Sequence, residues 1–174
     1  MLSLRARQLV DIPSDSPLPD DLASLYDRFF AGKSYTTRFG EGWTFLPRGR
    51  DVDDDGFDCC LDHRTAQCYF FLDAEFRVYT TGEGSIQIAS SFISLVEEDA
   101  ILVSSVATGH SRRGFGQFPN YEAFFAAHGE YVCGWPEAQF NDREFARFFL
   151  GPSSVVRLGR FYSDDFLICG IEYF

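Results

Sequence analysis

Lysine is almost missing from this chain: of 15 basic residues only Lys33 is a lysine, against 26 carboxylates and a formal net charge of −11. Recognition of a nucleic-acid backbone needs a stripe of cations that replaces condensed counterions. Scattered arginines such as the pair Arg112-Arg113 make no such stripe, so direct nucleic-acid binding is not expected. Long apolar runs are lacking too, and none approaches the roughly 18 residues of a membrane-spanning helix. The start, Met1-Leu2-Ser3-Leu4-Arg5-Ala6-Arg7, has no apolar core of a secretory signal, so the expectation is a cytoplasmic protein without membrane association. Internal repeats, low-complexity tracts and a Pro- or Gly-rich linker are absent, and the 174 residues are expected to form one domain, 1–174.

Cysteine gives no framework. Cys59, Cys60, Cys68, Cys133 and Cys169 make an odd number, without paired zinc-ligand spacing, and lie mostly in apolar stretches where a free thiol behaves as a small hydrophobe. Neither disulfides nor a metal is expected from them. Hydrophobic residues, in contrast, are plentiful: 45% of the chain, with 20 phenylalanines, which excludes a disordered chain.

The apolar residues are patterned. Leu22, Leu25, Tyr26, Phe29 and Phe30 form one stripe on a helix from Pro19 to Ala31, capped by Ser16 or Asp20 and ended by Gly32. Short strands are expected at Tyr35 to Phe39 and Trp43 to Leu46, and again between Phe57 and Ile88, with turns at Asp73-Ala74 and Gly82-Glu83-Gly84. Ser90 or Ser91 caps a helix reaching Val103, with Phe92, Leu95, Val96 and Ile101 inward and Glu97, Glu98 and Asp99 outward. Helices at Asn120 to His128 and Asn141 to Leu150 follow, then a terminal hairpin of Ser153 to Tyr162 with Phe166 to Tyr173. The fold class is α+β: a mostly antiparallel sheet of five or six strands, with helices packed on one face and at the ends.

Three patterns in the chain bear on chemistry. Asp51-Val52-Asp53-Asp54-Asp55-Gly56, with Asp62 at position 12, has calcium-loop spacing, but position 12 is not Glu, position 8 is Asp58 and no entering helix precedes it. A solvated acidic turn fits those residues better. Cys133 with His110 and His128 is the best nucleophile and base set, and it matches no local signature. Gly109 to Gly116 lacks the Gly-Lys-Ser/Thr end of a phosphate loop. No catalytic residue, metal or cofactor is expected.

The helix start Leu18-Pro19-Asp20-Asp21-Leu22, the strand Gly42-Trp43, the turn Cys60-Leu61-Asp62-His63-Arg64-Thr65-Ala66 and the helix start Ala89-Ser90-Ser91-Phe92 together resemble the SUKH superfamily. The resemblance covers residues 18–104 and leaves 105–174 as a helical insert with the terminal hairpin. It implies a non-catalytic protein that neutralises a toxin by covering its active surface. An acidic surface suits a basic toxin domain, although the same charge also keeps a domain soluble. The residues expected at such a contact are Asp51, Asp53, Asp54, Asp55 and Asp58, with Trp43 or Trp135 as aromatic anchor. Two alternatives stay open: a SUKH-like regulatory or scaffold interaction module, and an unrecognised small-ligand protein or enzyme. The oligomeric state is not indicated.

Overall fold

Ser3 accepts the Ala6 N–H on its hydroxyl and so starts α1, Leu4–Leu9, an element the sequence patterns do not reveal. The computed structural model describes residues 2–36, 42–48, 57–62, 69–80, 87–105, 117–139, 142, 145–152, 155–159 and 167–168. They pack as two compact units, Met1–Ala100 and Ile101–Phe174, and the fold class is α+β.

In the first unit the cap of α2, Leu22–Phe29, is Asp21 rather than Ser16 or Asp20: its carboxylate accepts the Ser24 N–H at 2.8 Å. Gly32 follows the helix at φ +75°, where a side chain would be strained, and its N–H donates to the Phe45 carbonyl. That turn delivers the chain into a six-stranded antiparallel sheet in sequence order: β1 (Ser34–Thr36), β2 (Gly42–Phe45), β3 (Phe57–Asp62), β4 (Tyr69–Leu72), β5 (Val78–Thr80) and β6 (Gln87–Ala89). Register shifts interrupt the β3/β4 ladder at Asp58/Cys60 and the β5/β6 ladder at Val78/Tyr79.

Alternation along the strands decides which face is covered. Tyr35, Trp43, Phe45, Phe70, Leu72, Val78 and Ala89 are buried and join Ala6 and Val10 of α1 and Leu25 and Tyr26 of α2 in one core. Its centre is aromatic. Phe92 sits edge-on to Tyr26 at 5.3 Å and to Phe30 at 4.8 Å between ring centroids, and Phe30 meets Phe45 at 5.3 Å. Edge-to-face geometry of this kind adds about 0.5–1.5 kcal/mol per pair beyond the buried area.

Phe92 opens α3, Phe92–Ser105, whose cap is Ser91: its hydroxyl accepts the Ser94 N–H. The acidic run of this helix does not point freely outward, because charged oxygens near other elements attract their donors. The Glu97 carboxylate accepts from the Ser3 hydroxyl at 2.6 Å, and Asp99 accepts from the Tyr35 hydroxyl at 2.7 Å. Both acids are half-buried.

The second unit, which takes in α3 from Ile101 onward, is built round a hairpin of β8 (Ala146–Leu150) and β9 (Val155–Gly159). It also holds β7 (Gln117–Phe118), α4 (Tyr121–His128, capped by Asn120), a 3₁₀ turn at Gly129–Val132 and β10 (Leu167–Ile168). The helix expected at Asn141 to Leu150 is therefore a strand over its second half. Phe145, Phe148 and Phe149 have helical spacing, but β8 is buried on both faces, which erases the alternation that marks a strand. Ala146, Phe148 and Val155 pack with Ile101, Leu102 and Ala138 on one face; Phe149, Val156 and Leu158 pack with Phe124 and Val132 on the other. Of the expected terminal hairpin, Ser153 to Tyr162 with Phe166 to Tyr173, the turn and most of the second arm lie outside the described residues; β9 pairs with its sequence neighbour β8, and β10 pairs antiparallel with β7.

Candidate partner-binding surface

The sheet of the first unit keeps its aromatic surplus on the face away from the helices. Phe71 of β4 and Tyr79 of β5 are cross-strand partners, half-buried, with rings stacked at 5.2 Å and 14°. Asp58 of β3 stands opposite Phe71 in the ladder, so the last member of the acidic run is in register with this pair.

A charged turn holds the pair in place. Asp73 accepts the N–H groups of Glu75 (3.0 Å) and Arg77 (2.9 Å) on one oxygen and the Arg77 guanidinium on the other. Burial is the largest influence on this carboxyl and pushes it up, but the bonds from Arg77 and Glu75 together outweigh it and hold it below the usual carboxylate range. Arg77 also reaches Glu75 at 3.0 Å and lies 5.9 Å from the centroid of the Tyr79 ring. Burial raises the Tyr79 hydroxyl above its ordinary value, with Arg77 acting in the opposite sense. Between Asp73 and Arg77 the backbone of Phe76 takes φ +64°, in the left-handed region a bulky residue avoids. Its ring is buried beside Tyr26 and Phe92, and its carbonyl accepts the Phe92 N–H at 3.1 Å, so packing and a helix start fix that conformation.

The sequence-predicted site residues are scattered by this arrangement. Trp43 is only 9% exposed and packs on Phe70 at 4.8 Å, in the core and on the helix-covered face. It is no exposed anchor, since its β2 position alternates inward. Asp51, Asp53, Asp54 and Asp55 lie outside the described residues, as do His63, His110 and the Arg112-Arg113 pair. The calcium-loop reading does not survive β3. Residues 57–62 form a strand bonded on both sides, and six extended residues carry Asp62 roughly 16 Å from Phe57, which is not a loop wrapped round one ion.

Trp135, in the second unit, is half-buried and lies flat on Gly151, where a Cβ would stand 2.6 Å from two of its ring carbons. Beside it runs a feature that sequence reasoning missed. Arg147 of β8 donates from Nε and a terminal nitrogen to the two Glu137 oxygens, both at 2.8 Å. Its guanidinium carbon is 5.0 Å from the Phe125 centroid, 5.4 Å from Phe149 and 5.5 Å from Tyr121. The Glu137 hydrogen bonds are the main reason the arginine is held still more firmly protonated than usual. A lone Arg in an apolar strand gives no sign of this in the sequence; the (i, i+4) aromatics Tyr121 and Phe125 were the available signal.

Cys133 is an exposed free thiol at the end of the 3₁₀ turn, and His128 packs its ring against Phe118 at 5.3 Å and Phe124 at 5.7 Å. Among the described residues no group of three or more His, Cys, Asp or Glu is placed to hold a metal, and no helix is long and apolar enough to cross a membrane. Compared with models of protein families, with curated proteins and with solved structures, the chain matches none.

Proposed function

We propose that this chain is a non-catalytic, cytoplasmic binding protein of SUKH type that neutralises a basic toxin domain by covering its active surface. The observation that carries the reading is the wet face of the first sheet. A stacked aromatic pair, Phe71 and Tyr79, lies there in register with Asp58, at the end of an acidic run in a chain of net charge −11. Half-buried aromatics with the Asp73 and Glu75 carboxylates close to Tyr79 are the ingredients of an interface that steers a cationic partner and then desolvates against it. The order of elements, an Asp-capped helix, the Gly42-Trp43 strand, an apolar hairpin and a Ser-capped helix, agrees with what the resemblance over 18–104 implies.

The test begins with affinity capture of the tagged protein from its native cells at moderate and high salt. The partner is identified and its own activity is then assayed with and without an equimolar amount of this chain. Stoichiometric loss of that activity, with an association rate that falls as salt rises, is the expected result. A captured partner that keeps full activity rejects neutralisation and leaves an interaction module as the function; failure to capture any partner rejects binding of this kind altogether.

A further inference from the structure

The stacked pair on the wet face of the first sheet belongs to a longer row. Strand register sets Asp58 of β3, Phe71 of β4, Tyr79 of β5 and Gln87 of β6 opposite one another in turn. Direct partners in an antiparallel pair share a face, with Cβ atoms about 4.5–5.5 Å apart. The Phe71 and Tyr79 rings stack at that spacing, 5.2 Å between centroids. Gln87 turns its side-chain amide to the Ala89 carbonyl of its own strand at 3.2 Å.

The two ends of the stack differ. At the Tyr79 end the Arg77 guanidinium carbon lies over the ring, 5.9 Å from its centroid, and the same guanidinium is held by Asp73 and Glu75. This is a cation–π contact with its carboxylates in place. At the Phe71 end the row supplies an acid, Asp58, and no cation. Beyond the Tyr79 stack, Phe71 has no ring or cation contact among the described residues. Among the described residues of β3 to β6 and the turns between them, the acids are Asp58, Asp62, Asp73 and Glu75, and the base is Arg77 alone, already paired with two of them. One aromatic stack thus carries a completed guanidinium, ring and carboxylate set at one end, and the ring and acid of a second set at the other.

We propose that the Phe71 end of the stack, with Asp58, is a seat for one arginine side chain of the polypeptide partner. This rests on the binding function proposed above and identifies the group by which the partner is recognised. The guanidinium lies on the open face of Phe71 and pairs with the Asp58 carboxylate, repeating on one side of the stack what Arg77 does on the other. Arginine is the occupant because a planar, weakly hydrated guanidinium stacks on a ring and meets a carboxylate with two N–H groups at once. A lysine ammonium gives up a tighter hydration shell for a single point contact. Tyr79 behind Phe71, itself under Arg77, keeps the ring in place, so little freedom is lost when the seat fills.

Two measurements test the seat, and the first needs no partner. Titration of the isotope-labelled chain with the capped tripeptide Gly-Arg-Gly is expected to shift the Phe71 and Tyr79 amide resonances saturably. The matching lysine peptide is expected to bind about fivefold more weakly, and Asp58→Asn to weaken the arginine peptide by a similar factor. With the captured partner, Phe71→Leu and Asp58→Asn are each expected to weaken binding about tenfold, the second with a flatter salt dependence. Among single arginine-to-lysine changes in the partner, one should match the effect of Asp58→Asn and not add to it. Shifts that do not saturate, or that saturate alike with the lysine peptide and in Asp58→Asn, overturn the seat, as does unchanged partner affinity in both variants. If those variants still bind and silence the partner, the seat falls and neutralisation stands. If they lose a partner that keeps its activity when bound to the unaltered chain, the seat stands and neutralisation falls. Asp58→Asn removes a charge at nearly constant shape, so it keeps the test decisive should Phe71→Leu fail to fold.

Discussion

At Asp73, burial and hydrogen bonding act on one carboxyl in opposite directions, and the bonds prevail. A carboxyl held below its unfolded value contributes stability that is fully present above about pH 4 and is lost as pH falls through the folded value. Urea unfolding followed from pH 7 to pH 2 should show this as a fall in midpoint on the acid side, and Asp73→Ala should reduce that slope. The same variant should cost about 1–3 kcal/mol at pH 7, because two turn N–H groups and the Arg77 guanidinium lose their acceptor. A parallel unfolding curve for both proteins below pH 4 would show that the turn does not depend on this charge. Phe76 makes the complementary point: its left-handed backbone is tolerated because its ring and its carbonyl are both held by the core around Phe92.

Among the elements, helix starts are the most legible, to within a residue or two of the true cap. The sequence places a helix start at Asn120, and its side-chain oxygen accepts the Ala123 N–H at 2.8 Å. Asn120→Ala should therefore cost about 1 kcal/mol in chemical denaturation, while Asn120→Asp should cost less. The helix starts near Leu22 and Phe92 and the turn at Asp73 were legible for the same reason: the residues concerned act on backbone groups within four positions of themselves. What depends on distant partners was not. Glu97 and Asp99 look like a solvated face until Ser3 and Tyr35 arrive from 94 and 64 residues away. The helical spacing of Phe145, Phe148 and Phe149 misleads because β8 has core on both sides, and α1 was invisible because its short apolar set makes sense only against the sheet. Of the candidate site, the sequence points to Trp135 and Asp58, but the Phe71–Tyr79 stack arises from strand register and the Arg147 cage from α4 aromatics packed on β8, which no local pattern encodes.

Across the whole molecule, stability rests on phenylalanine. Phe92, fully buried and in ring contact with Tyr26, Phe30, Phe45 and Phe76, is the residue whose loss should be felt most in the first unit. Phe92→Ala should destabilise by about 3–5 kcal/mol, measured by the denaturant midpoint with an unchanged slope. A cost below 1 kcal/mol would mean that the core around it collapses into the space. The second unit is constrained differently. In a strand with one wet face, every other position is open to exchange. All five positions of β9 are buried, with Gly159 admitting the Arg157 guanidinium where a Cβ would stand 2.6 Å from it. Sequence drift should therefore be nearly frozen from Val155 to Gly159, and in a saturation library this run of five should stand out as an unbroken block of intolerance instead of the every-second-residue comb that the sheet of the first unit gives.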